Sequence, residues 1–132
     1  MIGLDTNIIV RYLMQDDPIQ SPVATRILEA NLHEGEPGFM STVVVAELAW
    51  VLKSVYRLDP IEIASAFTQV LKTPSLVVEA EQDVFVALTL SRAGLGSFTD
   101  ALIALLGVRA GCSTTLTFDR GAAGLPGFSL AH

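Results

Sequence analysis

Short apolar blocks separated by polar turns run the whole length of the chain. Met1–Leu4 is apolar and stops at Asp5; Thr6 and Asn7 follow, and a second apolar block covers Ile8 to Leu13. Four apolar or small residues bounded by a polar turn fit a buried strand. Asp-Thr-Asn then fits a helix start, because each of these side chains can accept from a free backbone N–H. Ser21 and Pro22 have the N-cap and N1 character of a second helix running to about Leu32, with Val23, Ile27, Leu28 and Ala30 as its apolar stripe. Phe39 and Met40 form a very short second strand. Ser41 caps a third helix reaching about Tyr56, with Val44, Leu48, Val51, Leu52 and Val55 towards the core and Trp50 expected as a core anchor. Asp59–Pro60 opens a fourth helix that ends near Lys72.

Leu76–Val78 is a β-branched third strand, and Glu81–Ala93 a fifth helix ended by Gly94 and Gly96. Ser97, with Asp100 at the capping-box spacing, begins a sixth helix whose apolar run predicts burial on most sides. Ser113–Thr117 is a fourth strand running into Phe118–Asp119–Arg120. Gly121–Gly124 reads as loose chain, and Phe128–Leu130 as a last strand. Strands and helices alternate with short connections. That pattern predicts an α/β fold of three layers, α/β/α, around a central parallel sheet of about five short strands. No linker or repeat divides residues 1–132, so one domain is expected.

Composition agrees with a packed domain: 51% of residues are hydrophobic and 17% charged. No uninterrupted apolar run is long enough for a membrane span, and the N-terminus lacks the basic-then-apolar pattern of a secretory signal. One cysteine, Cys112, excludes an internal disulfide and suits a reducing cytoplasm. The net charge of −6 argues against a strongly bound polyanion. If four of the 14 acids form a metal site, however, ten remain against eight bases, and the objection weakens.

Four acids stand apart. Asp5 and Asp119 end strands, and parallel strands present their ends on one edge, where open α/β sheets bind ligands. Glu47, inside VVVAELAWVL, and Asp100, on the first turn of the sixth helix, can converge on the same crevice. Each also has a plainer reading. Asp5 and Asp100 can serve as caps, and Glu47 can face solvent. Crowded carboxylates stay ionised only beside a cation, and oxygen ligands without His or Cys select Mg²⁺ or Mn²⁺. Arg11 and Arg120, near the strand ends, are candidates for phosphate contact, and each can equally be a solvated surface charge.

DTN after the first strand, AELAWVL on the third helix, FTDALIA at the sixth and TFDR after the fourth strand resemble the PIN-domain ribonucleases, and among them the VapC-type toxins of type II toxin–antitoxin pairs. The resemblance spans essentially the whole chain in the family's order. It implies a Mg²⁺-dependent endoribonuclease that cleaves RNA with metal-activated water. It also implies a homodimer held inactive by a cognate antitoxin. Carried onto this sequence, the catalytic acids are Asp5, Glu47, Asp100 and Asp119, with Asp5, Asp100 and Asp119 as metal ligands. Thr6, Asn7, Ser97 and Thr117 are the supporting polar residues. Two departures matter. Many relatives carry another acid where this chain has Ser97, which weakens a second metal. Many also continue the last motif with charged residues, where Gly121 and Ala122 stand here. The alternatives are a catalytically weak PIN-like module that binds protein or RNA, and a different Mg²⁺-dependent phosphoryl-transfer enzyme.

Overall fold

The structure, a computed structural model, describes residues 1–132 throughout. Five short strands alternate with seven α-helices: β1 (Ile2–Gly3), α1 (Thr6–Met14), α2 (Gln20–Arg26), β2 (Gly38–Met40), α3 (Thr42–Ser54), α4 (Pro60–Leu71), β3 (Leu76–Val78), α5 (Glu81–Arg92), α6 (Phe98–Arg109), β4 (Thr115–Thr117), α7 (Arg120–Ala123) and β5 (Phe128–Leu130). The architecture is the three-layer α/β/α arrangement. No helix is long and apolar enough to cross a membrane.

Every strand pair is parallel, but the strands form two groups. One is β1-β2-β3 with β2 in the middle; the other is β4-β5. No ladder joins β1 to β4, so the expected five-strand sheet is divided. This changes the burial expected of the strands. β1 is an edge: Ile2 is half exposed, and of the first apolar block only Leu4 is buried. On β4 and just after it, Leu116 is 68% and Phe118 87% exposed.

One core holds the layers together. Phe67, Ile9, Met40, Leu48 and Leu52 are its largest fully buried side chains, and Phe67 and Phe98 pack with ring centroids 5.0 Å apart. On α3 the buried positions are Val45, Leu48, Ala49 and Leu52, a stripe at helical spacing. That stripe differs from the expected one: Val44 and Val51 flank it and Val55 lies in solvent. Trp50, expected inside, is 62% exposed, because the face between Glu47 and Trp50 looks away from the core. On α6 Ala101, Leu102 and Ala104 are buried while Ile103 and Val108 are exposed, so this helix has an open side despite its apolar sequence.

Local signals explain most of the boundaries. Ser41 accepts from the Val44 N–H, and Asp59 and Glu62 form a reciprocal capping box. The second helix starts earlier than Ser21 and Pro22 indicated. Asp17 Oδ1 accepts from the N–H groups of Ile19 and Gln20, so the turn is capped from Asp17, and Ser21 is buried instead of capping. That helix passes into a single π-helical turn, Ile27–Asn31. A short helix, α7, replaces the loose chain expected after Arg120. Asp119 nucleates it by accepting from Gly121 and Ala122.

Candidate active site

A cavity of about 400 Å³ opens between α1 and α3. Its acidic end is made by Asp5, Thr6, Asn7 and Glu47; its other end by Val10, Arg11, Val51, Val55 and Tyr56. The local sequence dictates this division. Asn7 and Arg11 on α1, and Glu47, Val51 and Val55 along α3, are each four residues apart and so share a face. Thr6 meets Glu47 and Arg11 meets Tyr56. Residue numbers rise together along both helices, so α1 and α3 lie side by side in the same direction.

Asp5 is the N-cap of α1. Its Oδ1 accepts from the Thr6 N–H at 2.7 Å, and Oδ2 has no protein partner. The capping and ligand readings are therefore compatible, each using one oxygen. The buried Thr6 hydroxyl donates to Glu47 Oε1, leaving Oε2 free. Glu47 is exposed rather than embedded in its apolar helix, and Thr6 fixes one of its oxygens. Both carboxylates thus bond to a single residue.

Asp100 and Asp119 lie outside this cavity. Asp100 is half-buried on the first turn of α6. Its N–H donates to Ser97 Oγ at 3.1 Å, while its own carboxylate does not complete the capping box. Asp119 is exposed and spends one oxygen on capping α7; its N–H donates to Thr117 Oγ1. Arg120 is an exposed side chain, and Ser97 lines a different cavity, beside Trp50. No three acidic, His or Cys side chains come close enough to hold one ion. Asp119 follows β4, which no backbone ladder ties to β1, and Asp100 opens α6.

The donor set still bears on a metal. The cavity offers two carboxylates and an amide oxygen, all hard ligands. Mg²⁺ commonly binds through one or two carboxylates and keeps several waters and substrate oxygens. Asp5 and Glu47 meet that requirement by type and number. A four-carboxylate site is not assembled.

At the far end, the Arg11 guanidinium has three partners. Nε donates to Gln20 Oε1 at 2.8 Å, and Nη1 lies 3.4 Å from Tyr56 Oη and 3.5 Å from Asp16. Tyr56 Oη donates to Asp16 Oδ2 at 2.7 Å. Burial pushes the Tyr56 phenol above its ordinary pKa; the hydrogen bond to Asp16 and that residue's charge add to this, and Arg11 opposes it. The hydroxyl is therefore protonated at neutral pH. In the sequence Tyr56 marks only the end of the third helix. It sits in the turn that follows α3, where the chain brings it against Arg11.

Residues 2–127 match the PIN domain family. The chain belongs to that family. Membership points to nuclease-type chemistry, hydrolysis acting on nucleic acids. No curated protein sequence matches the chain at a significant level.

Proposed function

We propose that this PIN domain is a Mg²⁺-dependent endoribonuclease, with Mn²⁺ as a substitute ion. The reading rests on one observation above all: Asp5 and Glu47 converge on Thr6 in an open cavity, each with one oxygen left free. Mg²⁺, when bound, supplies Lewis-acid chemistry, lowering the pKa of water and neutralising charge on phosphate oxygens. Asp5, through its free oxygen, is the residue that would hold it, with the Asn7 amide beside it, which leaves the free oxygen of Glu47 for the attacking water.

The chain's own groups then divide the work. Thr6 orients Glu47 and caps against Asp5, so both carboxylates are fixed before substrate arrives. The free oxygen of Glu47 takes a proton from the attacking water. A P–O bond forms and the opposite P–O ester bond breaks; the leaving oxygen takes up a proton from solvent, to which Glu47 returns the one it accepted. Asp100 on α6 and Asp119 after β4 lie outside the cavity and are proposed to act on the substrate from there, not as ligands of the same ion.

The biological role proposed is that of a toxin in a type II toxin–antitoxin pair, acting in the cytoplasm as a homodimer and restrained by a cognate antitoxin. The four motifs named above support this role. The separation of Asp100 and Asp119 from the cavity favours the second reading, a PIN-like module that binds RNA with little cutting. Incubating the purified chain with single-stranded RNA in Mg²⁺ and in EDTA decides between them. Cleavage in Mg²⁺, abolished by EDTA and by Asp5→Asn, is the expected result. Binding without cleavage supports the module.

A further inference from the structure

We infer that the groove between α1 and α3 is a one-nucleotide binding track for single-stranded RNA: Arg11 anchors the phosphate next to the one being cut, and the Tyr56 ring is the platform for the intervening base. The inference rests on the nuclease reading for the identity of the strand. It concerns the end of the cavity that the acids do not occupy.

Three observations carry it. Arg11 is the only cation lining the cavity, in a chain of net charge −6, so a polyanion entering there has one place to find a positive partner. That cation is also held in place. Gln20 takes Nε, Asp16 and Tyr56 flank Nη1, and Nη2 is left without a protein partner. A guanidinium fixed through one side of its fork, with donors remaining on the other, is prepared for a phosphate oxygen. Finally, the wall beside it is apolar and aromatic. Val51, Val55 and Tyr56 offer a surface for a base, and stacking on an aromatic ring tolerates any sequence.

The spacing agrees. Thr6, which carries both acids' hydrogen bonds, and Arg11 are five residues apart on one helix, or about 7.5 Å along its axis. That is roughly the reach of one nucleotide in an extended strand. A duplex presents its bases stacked and paired, so it has no free face for Tyr56; a single strand does. Asp16 and Tyr56 act here as positioning residues for Arg11. The Tyr56 hydrogen is committed to Asp16, so its oxygen faces Arg11 as an acceptor.

The test is a binding titration in EDTA, where nothing is cut, with a short fluorescent single-stranded RNA, its abasic analogue and the matching duplex. Arg11→Ala should weaken RNA binding about tenfold and lower the slope of log Kd against log salt by about 0.7, the value of one lost phosphate contact on a single strand. Arg11→Lys keeps the charge but cannot span Gln20, Asp16 and Tyr56, so it should recover only part of that loss. Tyr56→Leu should cost the RNA about tenfold and the abasic strand almost nothing. Tyr56→Phe keeps the ring and should lose about threefold, on both ligands, through the loosened Arg11. In Mg²⁺ these losses should fall on KM.

Unchanged affinity in Arg11→Ala, equal effects of Tyr56→Leu on the RNA and its abasic analogue, or a duplex bound as tightly as the single strand would each overturn the inference. The nuclease reading fails separately. A chain that binds RNA as described but cuts it no faster than Asp5→Asn retains the track and loses the catalysis.

Discussion

The Thr6 hydroxyl donates to Glu47 across the gap between α1 and α3, and the Thr6 N–H donates to Asp5. One buried threonine therefore sets the relative position of two carboxylates that are 42 residues apart in sequence. Thr6→Val keeps the shape and removes the donor. Glu47 is exposed and can turn to water, so stability should fall by only about 1 kcal/mol, the worth of one hydrogen bond. RNA cleavage should fall by about tenfold or more, because a displaced carboxylate misaligns the reaction. Thr6→Ser should retain most of the activity. Melting and cleavage assays on the two variants check this, and a fully active valine variant would remove Thr6 from the account.

Asp5 serves two purposes, and two substitutions separate them. Asparagine keeps an acceptor oxygen for the Thr6 N–H, whereas alanine removes it. In EDTA Asp5→Asn should melt close to wild type, and Asp5→Ala should lose about 1 kcal/mol, the usual worth of an N-cap. Excess Mg²⁺ binds only the folded site and should stabilise the wild type by about 2.7 kcal/mol at a hundred times its dissociation constant. It should leave both variants nearly unmoved. Equal Mg²⁺ shifts in all three proteins would mean that Asp5 is not a ligand.

The acid side of the stability curve should report Asp17. The N–H groups of Gln20 and Ile19 hold its carboxyl below the ordinary carboxylate range. Its folded pKa is lower than its unfolded one, so the native state binds fewer protons. The stabilisation is complete above the unfolded pKa and is lost as pH falls through the folded value. Asp17→Ala should therefore melt below wild type at neutral pH, with the gap closing as pH drops beneath the carboxylate range. Thermal melts across that range measure it. A constant gap would mean that the Asp17 contribution is not electrostatic.

Much of this arrangement was legible in the sequence. Ser41, Asp59 and Ser97 announce their helices because a capping side chain acts on backbone within three residues. The short strands follow from local apolar blocks. What the sequence hid depends on contacts between distant elements. Ser21 looked like a cap, but Asp17, four residues earlier, reaches the same turn first. Trp50 looked like core until α3 was turned so that Val45, Leu48, Ala49 and Leu52 faced inward. The meeting of all four acids assumed one continuous sheet, and strand order at a distance leaves no local signature. Tyr56 and Asp16 acquire their role only through Arg11, which lies on α1 five residues before Asp16, whereas Tyr56 follows the end of α3.

The proposed antitoxin is expected to engage Trp50. It is exposed beside a cavity lined by Ser97 and Phe98, whereas Tyr12 and Tyr56 are half-buried and hydrogen-bonded to Glu29 and Asp16. Co-expression with the product of an adjacent short gene should yield a stable heteromeric complex. Trp50→Asp should weaken it by at least about tenfold, the loss of one aromatic anchor. The free chain carrying that substitution should still cut RNA. A complex indifferent to Trp50→Asp would move the partner to another face.

The central claim is that Asp5 and Glu47 act as one site. Single-turnover cleavage of a single-stranded RNA in Mg²⁺ tests it most directly, comparing wild type, Asp5→Asn, Glu47→Gln and the double variant. Each single substitution should slow cleavage by about a hundredfold or more. The double variant should be little slower than either, because groups that act as a unit are lost together. Wild-type rates in the single variants, or small losses that simply multiply in the double, would contradict the claim.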